Sequence, residues 1–309
     1  MVNLHAPVGF PYGIRRRLGR GAEYPPYVMT LHGLEERRVH VMKREAKKGR
    51  AWNFSWKNRL WHRLYHQPRF RWSIRTADGA HTFSRDVWTI LQLKYNLDSD
   101  RVAYIPNGVE ERFFLSREYE RKQPLRLLYV GTWLDQRGIF YLREALPRVF
   151  RERPGMRFTF AGPGAPAEEI QRFFGSEIAA RLDILPTVPW ERMPQLYAEH
   201  DILVFPSLVE GQPSVVLEAM ATGMPVITAE TCGMVDVIEH GFDGWLVPPG
   251  DSEAIENAIL RLSDGSELRR ELGTQAQRRM KRQTWARAGK QFERFLQTVV
   301  ARNNSGAGR

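Results

Sequence analysis

The second half of the chain alternates short apolar runs with helical stretches, and this alternation restricts the fold more than any other feature. Strands are expected at 125–130, 157–161, 184–185, 202–205 and 225–228, with helices over 138–153, 166–175, 191–198 and 213–222 between them. Strand–helix alternation with short connections indicates a parallel, doubly wound sheet. The first half carries strands at 2–5, 27–31, 79–84 and 102–105, a helical stretch over 53–76, and a helix running to Tyr95. Pro106-Asn107-Gly108 reads as a turn, and 116–124 is polar without an apolar period, as a linker would be. The last helix, 284–301, carries Trp285, Phe292, Phe295, Leu296 and Val299 at helical spacing. A length of 309 residues with 42% hydrophobic content allows one large domain or two ordinary ones.

The most specific local pattern lies between the strands at 202–205 and 225–228. It reads FPSLVEGQPSVVLEAMATGMPV and sets Glu210 in a loop and Glu218 inside an apolar helix. Pro213 suits the first helical turn, where a missing N–H costs nothing, and Gly223 suits the helix end. Glu218 lies about a turn beyond Ser214 and Val215, so its carboxylate can stand over whatever binds the helix N-terminus, which is a ready anion site. A loop carboxylate, a helix N-terminus and a second carboxylate one turn on suit a sugar attached to a phosphate.

This stretch, continued as VITAETCGMVDVIEHGFDGWLVPPGD, resembles the core motif of the retaining glycosyltransferases of family 4. LLYVGTWLDQRGIFYLREAL, AGPG, VAYIPNGVEERFF, VMTLHGL and TWARAGKQFERFL extend the resemblance in order along the chain. It implies an α/β GT-B fold, two Rossmann-like doubly wound domains facing a cleft. A partial N-terminal acceptor-side domain would occupy 1–115, a linker 116–124, and a nucleotide-sugar-binding domain 125–283. A C-terminal helix over 284–303 would return to the first domain. That family's first domain opens with a strand and a Gly-rich loop, whereas this chain starts at what reads as a middle strand. The N-terminal domain is therefore expected to be truncated by two to three units, at ~30 residues each.

The implied reaction is retaining transfer of a hexose-type sugar from a nucleotide-diphosphate donor to a saccharide or lipid-linked acceptor in cell-surface glycan synthesis. No metal and no cofactor beyond the donor are implied, and the eight His and one Cys form no H-E-x-x-H or C-x-x-C. By this resemblance Glu210 holds the hydroxyls of the donor sugar, and Glu218 accepts hydrogen bonds from the ribose. His32, at a strand end, positions the sugar. Arg137 stands where the family usually has Lys against the diphosphate, and Thr132 replaces its usual Arg. Gly131 supplies the turn after its strand. Gly211 and Gln212, ahead of Pro213, allow close backbone approach, and Ser214 and Val215 present N–H groups to phosphate.

Net charge is +11, concentrated in the first half at Arg15–Arg17, Arg37-Arg38, Lys43-Arg44 and Lys47-Lys48. There follows WNFSWKNRLWHRLYHQPRFRW, in which Arg, Lys and His are interleaved with Trp52, Trp56, Trp61 and Trp72. Such a stretch suits an anionic membrane surface, or aromatics packed in a core under a solvated basic face. No nucleic-acid motif accompanies it, so nucleic acid is not an expected partner. No apolar run reaches ~18 residues, the N-terminus lacks the pattern of a signal peptide, and Cys232 stands alone. These features fit the cytoplasm, at the inner face of the membrane. The rival readings are a non-catalytic nucleotide-sugar-binding protein or inactive fragment, a nucleic-acid-binding protein, and a GT-B epimerase.

Overall fold

The computed structural model describes residues 1–5, 9–18, 24–52, 54–119 and 124–306. Of the expected linker, 120–123 lie outside the described residues, as does Asn53 of the basic aromatic stretch. The chain divides into two compact units. Unit one comprises Met1–Gly108, Glu210–Gln212 and the chain from Trp285, and unit two comprises Val109–Val209 and Pro213–Thr284. Residues 109–115, read from sequence with the first domain, fall in unit two. The Val109 N–H donates to the Gln283 carbonyl at 2.9 Å, and Phe113 is buried against the rings of Trp190 and Tyr197.

Unit one holds four parallel strands, β1 (Val2–His5), β2 (Tyr27–Leu31), β3 (Gly79–Thr82) and β4 (Val102–Tyr104), in that spatial order. All five residues of β2 are buried, whereas β1 alternates as befits an outer strand. Tyr27, Met29 and Leu31 pack with Phe70, Ile74, Val87 and Leu91 to form the core. The expected helix over 53–76 is present from Trp56, where the Ser55 hydroxyl caps it by accepting from the Asn58 N–H at 3.2 Å. It is not uniform: a π-turn at His62–His66 separates Trp56–Trp61 from Gln67–Thr76. The C-terminal helix Trp285–Gly306 packs on this same sheet. A Cβ on Gly79 would sit 2.9 Å from both Phe295 and Val299, and Arg302 pairs with Asp98 and Asp100.

Unit two holds six parallel strands, ordered β10-β9-β8-β5-β6-β7 in space. They are β5 (Arg126–Val130), β6 (Arg157–Ala161), β7 (Leu182–Leu185), β8 (Ile202–Phe205), β9 (Val226–Ala229) and β10 (Trp245–Val247). The five expected strands are all present with ends moved by at most two residues. β10 and the helices Ser252–Asp264 and Ser266–Met280 lie beyond the alternation read from sequence.

His81, in β3, is buried, with Nε2 3.0 Å from the Ile105 carbonyl and Nδ1 3.5 Å from the Thr30 hydroxyl. Burial pushes its pKa from 6.5 down to about 4, against the Ile105 hydrogen bond, while His32 and His5 add repulsion. Between those values the unfolded chain binds a proton that the folded chain refuses. Stability is therefore full above pH 6.5 and is lost as pH falls toward about 4. The shift corresponds to about 3 kcal/mol. In NMR titration the His81 ring is expected to stay neutral at pH 5.5, and His81→Gln to flatten the acid limb of thermal stability. A His81 resonance titrating near 6.5 would contradict its burial.

Candidate functional site

In unit two the chain runs from β5 to β6 and β7 on one side, and from β8 to β9 and β10 on the other. The carboxyl ends of β5 and β8 thus flank a topological switch point, where open α/β sheets bind ligands. Gly131 follows β5, its N–H donating to the Ala161 carbonyl at 3.0 Å. Thr132 is exposed, and its methyl lies 3.6 Å from where a Cβ on Gly164 would stand, so the turns after β5 and β6 run side by side.

Beyond this turn, Asp135–Arg137 forms a short 3₁₀ turn ending at Gly138, with φ 78°. A Cβ on Gly138 would fall 2.1 Å from the Pro206 carbonyl oxygen, a contact only glycine permits. The Leu208 N–H donates to the Gln136 carbonyl at 2.9 Å. The loops after β5 and β8 are thereby locked together, and Arg137 is locked with them. Its guanidinium lies 5.4 Å from the Phe205 ring centroid. Burial works against its charge and lowers its pKa, while the nearby Tyr129 acts in the opposite direction. A partly desolvated guanidinium gains most from an anionic partner.

The helix Ser214–Ala221 follows β8. Pro213 does not occupy its first turn, as expected from sequence, but the position before it, with φ −73° and ψ 122°. Gly223, at φ 72°, closes the helix: its N–H donates to the Met220 carbonyl, and the Met224 N–H to that of Ala219. Ser214 is exposed and Val215 half-buried at the N-terminus, while Glu218 is only 7% exposed. The Tyr197 hydroxyl donates to Glu218 Oε2 at 2.8 Å. Burial raises the Glu218 pKa, opposed by hydrogen bonds from Tyr197 and Ser214 and by the charge of Arg112. Tyr197 is in turn pushed well above its ordinary value by burial beside this carboxylate. Glu218 is thus a fixed acceptor, gripped on one side.

Unit one gathers the remaining candidates. Glu210, Gly211 and Gln212, assigned from sequence to the second domain, cluster with unit one. A Cβ on Gly211 would lie 1.6 Å from the His32 carbonyl oxygen, so the two backbones touch. Gln212 contributes more than the backbone approach expected of it. It is 8% exposed, its Oε1 accepts from the Asn107 N–H at 2.6 Å, and its Nε2 is buried with no partner among the described residues. His32 directly follows β2, its Nε2 lies 2.8 Å from His5 Nδ1, and partial burial and His5 lower its pKa. A hydrogen bond at this distance needs one ring nitrogen to carry a proton and the other to be bare.

The structure places Gly131, Thr132, Arg137, Pro213, Ser214, Val215 and Glu218 in unit two, and His32, Glu210, Gly211 and Gln212 in unit one. Sequence reasoning missed Tyr197, Arg112 and His5, and read Asn107 as part of a turn. Only His5 carried a signal, as a polar residue ending a strand. Among the described residues no group of three or more His, Cys, Asp or Glu could hold a metal.

The fold matches HepE of Anabaena, solved in complex with UDP, with a TM-score of 0.73 at 17% identity over 96% of this chain and 78% of that one. This is the GT-B fold. The amylovoran biosynthesis glycosyltransferase AmsK of Erwinia amylovora is 29% identical over 58% of this chain and 46% of its own. The UDP-Gal:alpha-D-GlcNAc-diphosphoundecaprenol alpha-1,3-galactosyltransferase of Escherichia coli is 25% identical over 56% and 48%. The chain thus spans about half the length of these two relatives. The profile of the family described as Glycosyl transferases group 1 matches residues 111–279, more than half of the chain. The chain belongs to the glycosyl transferases group 1 family.

Proposed function

We propose that the protein transfers a hexose-type sugar, with retention of configuration, from a nucleoside-diphosphate donor to a saccharide or lipid-linked acceptor at the cytoplasmic face of the membrane. The observation that carries this reading is Glu218, a buried carboxylate gripped by Tyr197 on the helix that opens beside the switch point. A fixed acceptor in that place suits the ribose hydroxyls of a nucleotide. HepE was solved with UDP, which supports a nucleotide donor, and the galactosyltransferase relative is named for a UDP-sugar and a diphosphoundecaprenol acceptor, which supports a nucleotide-sugar donor and a lipid-linked acceptor.

Each residue has a role in this reading. As the donor bond breaks, negative charge develops on the departing diphosphate. Arg137 and the amides of Ser214 and Val215 would stabilise it from fixed positions, so little reorganisation is needed during reaction. Gly131 and Thr132 would let the diphosphate approach the turn after β5. In unit one Glu210 and His32 would hold the sugar, with Gln212 bracing the Asn107 N–H. Pro213 and Gly211 shape the backbone. No step requires a metal.

Glu218→Ala is expected to weaken UDP binding by about 1.5–3 kcal/mol, the worth of a charged hydrogen bond. Glu210→Gln should leave UDP affinity near wild type and depress the transfer rate, because it acts at the sugar. Calorimetry with UDP and GDP, paired with turnover of a labelled nucleotide sugar, reads both. Unchanged affinity in Glu218→Ala for a nucleotide that wild type binds would remove the ribose role.

Arg137→Lys should keep partial activity, whereas Arg137→Ala should lose it, because Lys restores the charge without the planar fork. Equal loss in both variants would point to a two-pronged contact or to packing on Phe205. Full activity in both would take Arg137 out of the site.

A further inference from the structure

We infer that the helix-and-π-turn segment Trp56–His66 of unit one is a docking surface for an anionic lipid bilayer. This deepens the reading of a lipid-linked acceptor. Trp56, Leu60, Trp61, Leu64 and Tyr65 are 65, 48, 54, 67 and 48% exposed, and Trp52 just ahead is 46% exposed. Burial inside the domain, the other reading open at the level of sequence, holds for Phe70 and His62 but not for these six. Singly exposed apolar residues are ordinary; six of them within fourteen residues are not.

The spacing makes the patch a surface. Positions 56, 60 and 64 fall one above another on a helix, as do 61 and 65. The π-turn accommodates buried His62, whose ring stacks on His66 at 5.1 Å, beside that outward stripe. Trp61 stacks on Tyr65 at 5.4 Å, and the Arg69 guanidinium lies 3.0 Å from the Tyr65 ring centroid, so the aromatics are braced.

Charge complementarity selects the occupant. From Ala46 to Ala77 the chain has nine Lys or Arg and no Asp or Glu. Lys57, Arg59 and Arg63, on the patch itself, are exposed. Nucleic acid would satisfy the cations alone, and a second protein would satisfy the apolar stripe alone. A bilayer interface takes both, with Trp and Tyr at headgroup depth, Leu below them and cations against the phosphates. No helix of the described residues is long and apolar enough to cross a membrane, so the mode is interfacial.

The test is co-sedimentation with vesicles of phosphatidylglycerol and phosphatidylcholine, or of phosphatidylcholine alone, with tryptophan quenching by brominated lipid. Wild type is expected to bind the anionic vesicles and to lose binding in high salt, with its tryptophans quenched. Each of Lys57→Glu, Arg59→Glu and Arg63→Glu should weaken binding at least fivefold at low salt. The combined variant Trp56→Ser, Leu60→Ser, Leu64→Ser should weaken binding at least tenfold and lose quenching. UDP calorimetry and circular dichroism on the same variants keep the donor site and the fold separate from this surface: unchanged UDP binding with lost vesicle binding supports the inference. Absent binding by wild type, equal binding to both vesicles, or charge variants that bind as well as wild type would overturn it. So would tighter binding to a single-stranded oligonucleotide than to anionic vesicles, or a stable dimer in sedimentation that hides the tryptophans.

Discussion

The contact between Gly138 and the carbonyl of Pro206 is the constraint on which the arrangement of the candidate residues of unit two depends. It brings the loop after β5 onto the loop after β8 at the one place in the sheet where the strand order reverses. Any side chain at 138 would drive the loops apart. With none, the Leu208–Gln136 backbone hydrogen bond closes, and Arg137 is held over Phe205 rather than swinging in solvent. A cation fixed in advance stabilises developing charge better than one that must be ordered during reaction. The Gly211–His32 backbone contact has the same logic in unit one, where it ties the loop bearing Glu210 to the end of β2.

Glu218, Arg137 and His81 are held against their ordinary preferences. Burial raises Glu218, lowers Arg137 and pushes His81 down to about 4. Each opposes the charged form, and each is met by a specific neighbour: Tyr197 for Glu218, Tyr129 beside Arg137, the Ile105 carbonyl for His81. Burying charge is tolerated where it is hydrogen-bonded, and perturbed groups concentrate where ligands bind. Arg137 lies over Phe205 at the carboxyl end of β8, and Glu218 lies on the helix that follows that strand. His81 stands inside β3, with its ring nitrogens facing protein partners, and its effect falls on stability.

The basic aromatic segment shows how one composition divides into two environments. Phe70 and His62 enter the core of unit one, while Trp56, Trp61 and Leu64 stay out. The division follows the angular position of each residue on one helical run, locally re-phased by the π-turn.

Much of this was legible in the chain itself. Short apolar runs separated by helical stretches determined the parallel sheets, because a strand and a helix bury residues at different periods. The loop–helix pattern around Glu210 and Glu218 singled out the candidate residues, because Gly, Pro and a helix N-terminus act locally. What the tertiary structure decided was partnership across distance. That Gln212 braces Asn107, that Tyr197 grips Glu218, and that His5 meets His32 depend on which strands lie side by side. The parallel order β1-β2-β3-β4 places His5 opposite Thr30 and so within reach of His32, a register that no local pattern encodes. Local chemistry fixes what a residue can do; only packing fixes what it does it to.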